Sequence, residues 1–513
     1  MKLGELIAGQ ALTAADGFTD VDVSGLSYDS RTVAPGHLFF ATARDGELRR
    51  RYLEEALSRG ARAVVVQNRD DVGKARPAPT VLACAKPRLL MAAAASRFYG
   101  SPSSRLDLIG ITGTSGKTTT AYLLASIFEA AGIPAGLMGT IGIFARGRRM
   151  GGGLTTPESI DIEAALAAME REGIRSVAAE ISSIGIAEER VAGLHFRACL
   201  FTNLGRDHLD YHGTLDDYFA QKLRLFTELL PASIRHDPMA VARGDDPWGV
   251  RVLQATPCRK LAFGLASGLD VYPLDAEIGS GGIRATIRTP GGTIAVRSQM
   301  IGEINLLNIV GASALAVALG IDGEAVAEGV RRCPGAPGRL EAVGALPGVT
   351  VLVDYAHKPD ALEAVLHALS ALRPRRLLCV FGCGGDRDAG KRPLMGRIAA
   401  RLSNLPILTS DNPRSEDPLR IIDQVEAGLK EAGLHALTAG QAQAGVGGYL
   451  VEPDRRRAIA LALEIARPGD LVLIAGKGHE DYQLAGTRKL HFDDREVVRE
   501  LAAEMAGRVS ATM

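Results

Sequence analysis

Residues 106–132 read LDLIGITGTSGKTTTAYLLASIFEAAG: an apolar run, a turn with two glycines and a lysine, then an amphipathic run closed by glycine. That order predicts a buried strand, a loop and a helix, the opening unit of a parallel α/β sheet. The loop GTSGKTT (113–119) is of the kind that wraps phosphates with successive backbone N–H groups, and the helix N-terminus behind it adds partial positive charge. Gly113, Thr114, Ser115, Gly116, Lys117, Thr118 and Thr119 are therefore candidate ATP-binding residues. Lys117 is expected to reach the β/γ-phosphates and the Thr118 hydroxyl to ligate Mg²⁺. The spacing matches the later part of the Walker motif, GxxGK[ST], without the first glycine of the longer form. Such a loop implies a nucleoside triphosphate and magnesium but names no reaction.

Working outward, RSVAAEIS (175–182) and RACLFTNL (197–204) read as further buried strands. Strands alternating with helices imply a parallel sheet covered on both faces. Residues 267–301 break the pattern. GGIRATIRTPGGTIAVRS predicts a small antiparallel hairpin, before NLLNIVGASALAVALG (305–320) returns to helix. Towards the N-terminus, RRRYLEEALSRG (49–60) and ARAVVVQ (61–67) form a smaller α/β unit, and YGSPSS (99–104) reads as a linker. Beyond RCPGAPGRLE (332–341), the runs VTVLVDYA (349–356), RRLLCVFG (375–382), LPILTSD (405–411) and DLVLIAGKG (470–478) form a second doubly wound sheet. The expected organisation is α/β in three domains: residues 1–103, a central P-loop domain at 104–335, and a Rossmann-like domain at 336–513.

Composition fits that reading. A chain of 513 residues has room for about three domains. The 59 basic residues balance 59 acidic ones and aromatics are only 5%, which argues against a nucleic-acid binder. Six scattered cysteines without histidines at zinc spacing suggest reduced thiols rather than a disulfide framework. The start MKLGELIAGQ lacks the apolar core of a secretory signal, and no run of about 18 apolar residues occurs, so a cytoplasmic protein without a membrane span is expected.

In a parallel sheet every strand ends at the edge that carries the phosphate loop. Glu180 closes one strand there, and Asn203, Asp207 and His208 follow another, so hard oxygen ligands for Mg²⁺ are at hand. Lys222, in the helical stretch DDYFAQKLRLF (216–226), reads by itself as a solvated helix lysine.

TGTSGKTTT (112–120), FTNLGRDHLDYHGTLDDYFAQKLRLF (201–226), GRLE (338–341), DYAHKPDAL (354–362) and GKGHEDYQ (476–483), in that order, resemble the Mur ligases, and YDSRTVAPGHLFFA (28–41) looks like the start of their UDP-binding domain. The resemblance covers nearly the whole chain. It implies a uridine-nucleotide domain, a central ATPase and a C-terminal amino-acid-binding domain. It also implies a reaction of peptidoglycan precursor synthesis. ATP phosphorylates the D-glutamate γ-carboxylate of UDP-N-acetylmuramoyl-L-alanyl-D-glutamate. An amine then attacks the acyl phosphate, and a tetrahedral intermediate collapses to an amide.

The resemblance further implies catalytic roles for Lys117, Glu180, His208 and Lys222. Lys222 matches the family lysine carbamylated by CO₂. As an anionic carbamate it would help His208, Glu180 and Thr118 hold Mg²⁺. Asn305, Asn308 and Arg339 resemble ATP-contacting positions, and Asp354 and His357 resemble residues at the edge of the third domain. For the UDP-muramoyl dipeptide, Tyr28 and Ser30 match uridine-side positions, while Thr155, Thr156, Ser182, Glu188 and Arg190 match the dipeptide side. The substrates implied are small molecules, with no nucleic acid, and the protein is expected to be a monomer.

DNPRSEDP (411–418) follows a strand, at an edge suited to ligands. Read locally it is a turn before a helix, with Ser415 available as its cap. Read with the family, its arginine goes with meso-diaminopimelate. That amino acid carries a second carboxylate at its far end, which an arginine fork binds bidentately. Arg387, Asp411, Asn412, Pro413, Arg414, Gly476 and Glu480 make up the matched site, with Glu480 accepting from the distal ammonium. Three positions depart from the commoner pattern: Ile184 and Glu47, where histidine is usual, and Leu154, where some members have asparagine. Folylpoly-γ-glutamate synthetase shares the architecture and chemistry, but it lacks a comparable N-terminal uridine domain. A degenerate ligase fold acting as a binding module would be expected to have lost Lys117, His208 or Lys222, and all three are present.

Overall fold

A computed structural model of the chain describes residues 1–16, 18–72, 80–344 and 346–512. They fall into two compact units.

The first unit is Met1–Tyr272 with Arg288–Gly292 and Val310–Gly329. Its N-terminal sheet has five strands in the order Ala14–Asp16, Thr80–Ala83, Ala63–Val66, His37–Phe40, Gly25–Ser27, parallel apart from the first. The run that reads as a strand at 61–67 pairs on both sides, and all four of its strand residues are buried.

The larger sheet of this unit has eight strands. Arg259–Phe263, Met239–Arg243, Phe196–Phe201, Asp107–Thr112, Ser176–Glu180 and Ala135–Gly139 run parallel, followed by the antiparallel Gly142–Ala145 and Arg148–Gly151. The strand Asp107–Thr112 enters in the middle. The chain builds outward from it, first to one side and then to the other. The loop at its C-terminal end is thus the switch point of the sheet, where α/β folds bind ligands. Register places Glu180 beside Ile111 and Phe201 beside Thr112, so three strand ends meet at that loop. Leu108, Val177, Phe196, Phe201 and Phe226 belong to the core beneath it.

Two readings of the sequence change. Residues 99–104 are not an open linker. Gly100 ends the helix Pro87–Tyr99, and Pro102–Ser104 is a single tight helical turn whose Ser103 is fully buried and accepts the His195 N–H at 3.2 Å. Proline presets the turn and the serine hydroxyls satisfy its backbone, so Gly, Pro and Ser here build structure. The hairpin expected within 267–301 is a three-stranded sheet, Tyr272–Gly279, Gly282–Thr289 and Gly292–Ser298. The first strand is largely exposed, which hid its alternation.

The second unit is Pro273–Ile287, Thr293–Ile309 and Val330–Met513. Its six-stranded sheet runs Glu341–Ala342, Thr350–Asp354, Leu471–Ala475, Leu377–Phe381, Leu405–Leu408, Leu450–Val451, parallel after the first pair. Leu471–Ala475 and Leu377–Phe381 are buried at every position, as continuous apolar runs of a doubly covered sheet must be. The segments after Asp354, Phe381, Leu408 and Ala475 all leave at one edge. Among the described residues no helix is long and apolar enough to cross a membrane.

Candidate active site

The phosphate loop is laced to the segment that follows the neighbouring strand. Thr114 N–H donates to Asn203 O at 3.0 Å, Ser115 N–H to Asn203 Oδ1 at 3.0 Å, and Gly205 N–H to Thr114 Oγ1 at 2.9 Å. Gly113 has φ +146°, and a Cβ there would stand 1.9 Å from Thr202 Oγ1, so the loop can pass only as glycine. The helix Lys117–Ala130 starts on Gly116, and Thr118 and Thr119 are buried in its first turn. Lys117 Nζ folds back onto the carbonyls of Gly113 at 2.9 Å and Thr114 at 3.0 Å, at the mouth of the loop.

Glu180 is buried beside this loop. Its carboxylate accepts from Thr118 Oγ1 at 3.0 Å, Thr140 Oγ1 at 3.0 Å and Thr140 N–H at 2.9 Å. The pair expected to hold Mg²⁺ is therefore in direct contact. Thr140 was not expected; it lies in a short GTIG turn without a recognisable motif.

Lys222 is 1% exposed, which overturns its reading as a solvated helix lysine. The helix Leu215–Arg224, capped by the Thr214 hydroxyl, turns it inward. There Nζ donates to Gly113 O at 3.0 Å and lies 4.5 Å from the Tyr218 ring centre. Burial and the neighbouring Lys117 hold its amine well below the usual lysine range. His208 has φ +53°, pairs with Asp207 at 3.4 Å and faces the Tyr218 ring. Of the four residues expected around Mg²⁺, Thr118 and Glu180 touch each other, Lys222 touches the loop, and His208 stands with Asp207. Among the described residues no three His, Cys, Asp or Glu side chains gather as a metal cluster.

The substrate-side residues form a second group in this unit. Thr156 Oγ1 donates to Glu180 O at 2.9 Å and accepts from Ser182 N–H at 2.9 Å, and Thr155 Oγ1 lies 3.1 Å from Thr140 Oγ1. Ser182 caps the short helix Ser183–Ala187, on which Ile184 sits. Arg190 donates to Thr156 O at 3.1 Å and pairs with Glu158 at 3.0 Å. Glu188 accepts from Tyr211 OH at 2.5 Å, from Arg88 at 3.0 Å and from Arg44.

Tyr28 donates to Asp161 at 2.6 Å; burial and that carboxylate push its phenol up. Ser30 is buried, with its hydroxyl on Glu55 at 2.7 Å. Tyr28, Arg44, Arg49, Tyr52, Arg88 and Glu188 line a cleft of about 260 Å³. Arg88, which also holds Glu158 at 2.6 Å, has no local signal in the sequence, because its partners lie 70 and 100 residues away with no shared motif. Glu47 is on the helix Gly46–Ser58, and Leu154 is exposed in the turn before Thr155.

The second unit gathers the amino-acid residues. Asn412 Nδ2 donates to Glu480 Oε2 at 2.8 Å, and Leu484 N–H to Asn412 Oδ1 at 2.9 Å. Asp411 is buried against Gly476, where a Cβ would stand 2.7 Å from its carboxylate. Pro413 leads into Arg414, whose Nη1 donates to Gly385 O at 2.7 Å. Arg387 is exposed on the adjacent loop. The helix Pro418–Glu431 is capped by Asp417, not Ser415; the Ser415 hydroxyl binds Asp386 instead.

Also in this unit, Arg339 lies over the Tyr355 ring at 4.9 Å, and Asp354 accepts the N–H groups of Leu340 and Ala356 at 2.8 Å each. Asn305 donates to Ile301 O at 2.9 Å and accepts from Asn308 at 3.2 Å. Burial pushes the His357 imidazole down to about 4, so it is neutral at pH 7.

Residues 111–316 match the Mur ligase middle domain, and residues 338–478 the Mur ligase glutamate ligase domain. A UDP-N-acetylmuramoyl-L-alanyl-D-glutamate--2,6-diaminopimelate ligase of Geobacter metallireducens is 43% identical, over 99% of this chain and 100% of its own. The chain belongs to the Mur ligase family. A solved ligase of the same name superposes on this Mur ligase with a TM-score of 0.67 at 33% identity, covering 94% of this chain and 95% of the other. Folylpolyglutamate synthase of Mycobacterium tuberculosis, solved with ADP, shares the fold alone, at 19% identity, a TM-score of 0.60, and coverage of 82% and 95%. The phosphate loop lies within the part of the chain that matches the middle domain, and Asp411, Asn412 and Arg414 within the part that matches the glutamate ligase domain.

Proposed function

We propose that this chain is the ATP-dependent ligase that joins meso-diaminopimelate to the D-glutamate γ-carboxylate of UDP-N-acetylmuramoyl-L-alanyl-D-glutamate, in the cytoplasm and as a monomer. The observation that carries the amino-acid assignment is that one sheet edge bears both Arg414, whose Nη1 donates to Gly385 O at 2.7 Å, and Glu480, which accepts from Asn412 at 2.8 Å. A cationic and an anionic pole suit the far carboxylate and ammonium of diaminopimelate. L-Lysine has no far carboxylate and would leave Arg414 without its ligand. Residues 1–103, 104–335 and 336–513 are the proposed uridine-nucleotide, ATPase and amino-acid domains.

A carboxylate resists amine attack because its leaving group would be oxide. Phosphoryl transfer from ATP supplies a better one. Lys117 lies at the loop mouth, where it would meet the β/γ-phosphates, and the loop N–H groups would cradle them. The Thr118 hydroxyl and Glu180 carboxylate offer hard oxygen atoms that fit Mg²⁺, with His208 and carbamylated Lys222 as proposed further ligands. A cation held there would supply positive charge to offset that of the transferring phosphoryl group. Burial of Lys222 favours its neutral amine, the form whose lone pair attacks CO₂ and releases a proton to give a carbamate. Thr155, Thr156, Ser182 and Arg190 would orient the dipeptide beside Glu180. Positioning of this kind can contribute about 7–11 kcal/mol.

The test is amino-acid-dependent phosphate release from ATP in the presence of UDP-N-acetylmuramoyl-L-Ala-D-Glu. Release with meso-diaminopimelate, and not with L-lysine or L-glutamate, is expected. Release with L-lysine would keep the ligase and overturn the role of Arg414.

A further inference from the structure

Two loops of the second unit meet at the amino-acid edge: Gly384–Asp388 after one strand and Asp411–Asp417 after the next. Each carries a non-glycine residue in the left-handed region, Asp386 at φ +52° and Arg414 at φ +54°. Strained backbone of this kind persists only where its surroundings over-determine it. Here the surroundings are the two loops themselves. Gly385 N–H donates to Asn412 O at 2.9 Å, and Arg414 Nη1 to Gly385 O at 2.7 Å. Ser415 donates to the Asp386 carboxylate through N–H at 3.1 Å and Oγ at 2.6 Å. The approach is so close that a Cβ on Gly385 would stand 1.9 Å from Pro413 O.

One side chain joins both loops to the core. Glu416 Oε1 accepts the Asp386 N–H at 2.5 Å and Arg392 Nη2 at 2.8 Å, while Oε2 accepts Arg392 Nη1 at 2.9 Å. Arg392 is 1% exposed, on the helix Lys391–Leu402, and is further fixed by Gln424 at 2.7 Å and Gly384 O at 3.3 Å. A buried two-pronged arginine is a rigid peg, because its planar fork has few ways to satisfy its donors.

We propose that Glu416, seated on buried Arg392, is a positioning residue for amino-acid selection: it fixes the strained loop from which Arg414 meets the far carboxylate of the incoming amino acid. This rests on the diaminopimelate reading above. Glu416 touches no substrate in this account. It acts through the conformation of Arg414.

The experiment compares wild type with Glu416→Gln and with the milder, solvent-exposed change Asp386→Asn, measuring KM and kcat for each of the three substrates and the melting temperature. Glu416→Gln is expected to raise KM for meso-diaminopimelate about tenfold, as a displaced binding group does. KM for ATP and for the UDP-dipeptide should stay within about twofold. Asp386→Asn should move in the same direction by less, and Glu416→Asp should recover part of the loss.

Wild-type selectivity for diaminopimelate with an unchanged KM in Glu416→Gln would overturn the positioning role alone. Parallel rises in all three KM values would also overturn it, by showing a general structural effect. A Glu416→Gln protein that fails to fold leaves Asp386→Asn to decide, and an unchanged KM there overturns the proposal. Wild type that prefers L-lysine would overturn the substrate reading and this role with it.

Discussion

Replacing Gly113 by alanine tests whether the phosphate loop is held as tightly as its contacts indicate. The new Cβ would lie 1.9 Å from Thr202 Oγ1, 3.0 Å from Asn203 O and 3.1 Å from Asn203 N. Real Cβ contacts essentially never fall below 3.0 Å, so the loop and the Thr202 hydroxyl must part by about 1 Å, and the loop and the Asn203 backbone by a few tenths of an ångström. At φ +146° the alanine also carries backbone strain of about 1–3 kcal/mol. Reacting groups displaced by about 1 Å can lose about 100-fold in rate. Gly113→Ala should therefore raise the ATP KM, lower kcat by about that factor, and lower stability by about 1–3 kcal/mol.

The side-chain part of the clash is separable. Thr202 Oγ1 donates to Ser115 O at 2.7 Å, so Thr202→Ala alone should cost about 1 kcal/mol. In the Gly113→Ala background the same change removes the nearest clashing atom and should cost less or even help. Coupled-enzyme kinetics and thermal melts on the four proteins of this cycle give the interaction energy directly. Wild-type kinetics in Gly113→Ala, or strictly additive effects, would refute the tight-loop argument.

Three further outcomes follow from buried charges. Lys222→Met keeps the apolar bulk but removes the amine, so phosphate release should fall about 100-fold or more while calorimetric nucleotide affinity holds; near-normal turnover would rule out a carbamate there. Burial pushes the Glu163 carboxyl up from about 4.5 to about 7. Its protonated folded form therefore contributes stability below the lower value, and this is lost as pH rises through the upper one, by up to about 3 kcal/mol. Glu163→Gln should match wild type near pH 5 and exceed it near pH 8 in thermal melts, and parallel melting at both would contradict the assignment. Arg455 and Asp494 form a fully buried pair with contacts of 2.7 Å. Asp494→Asn should cost about 3–5 kcal/mol in urea unfolding by stranding the guanidinium, and Arg455→Met with Asp494→Leu should recover much of it; a double variant no more stable than the single would point to packing instead.

What the chain's linear order settled by itself is local chemistry. The apolar run, glycine turn and amphipathic run at 106–132 specify strand, phosphate loop and helix, because each depends on neighbours within a few residues. The continuous apolar strands of the second unit were legible for the same reason, as was the Arg-bearing DNPR turn. The ordered motifs extended that reading to a family and its reaction.

Tertiary structure decided what depends on distant partners. Lys222 looks solvated along its helix, yet that face turns inward to Gly113, 109 residues away. Asp417 rather than Ser415 caps the next helix, because Asp386 on another loop takes the serine. Arg88, Glu158, Thr140 and the Arg392–Glu416 peg carry no local signature. Their meaning lies in hydrogen bonds that form only when strands far apart in sequence end at the same edge.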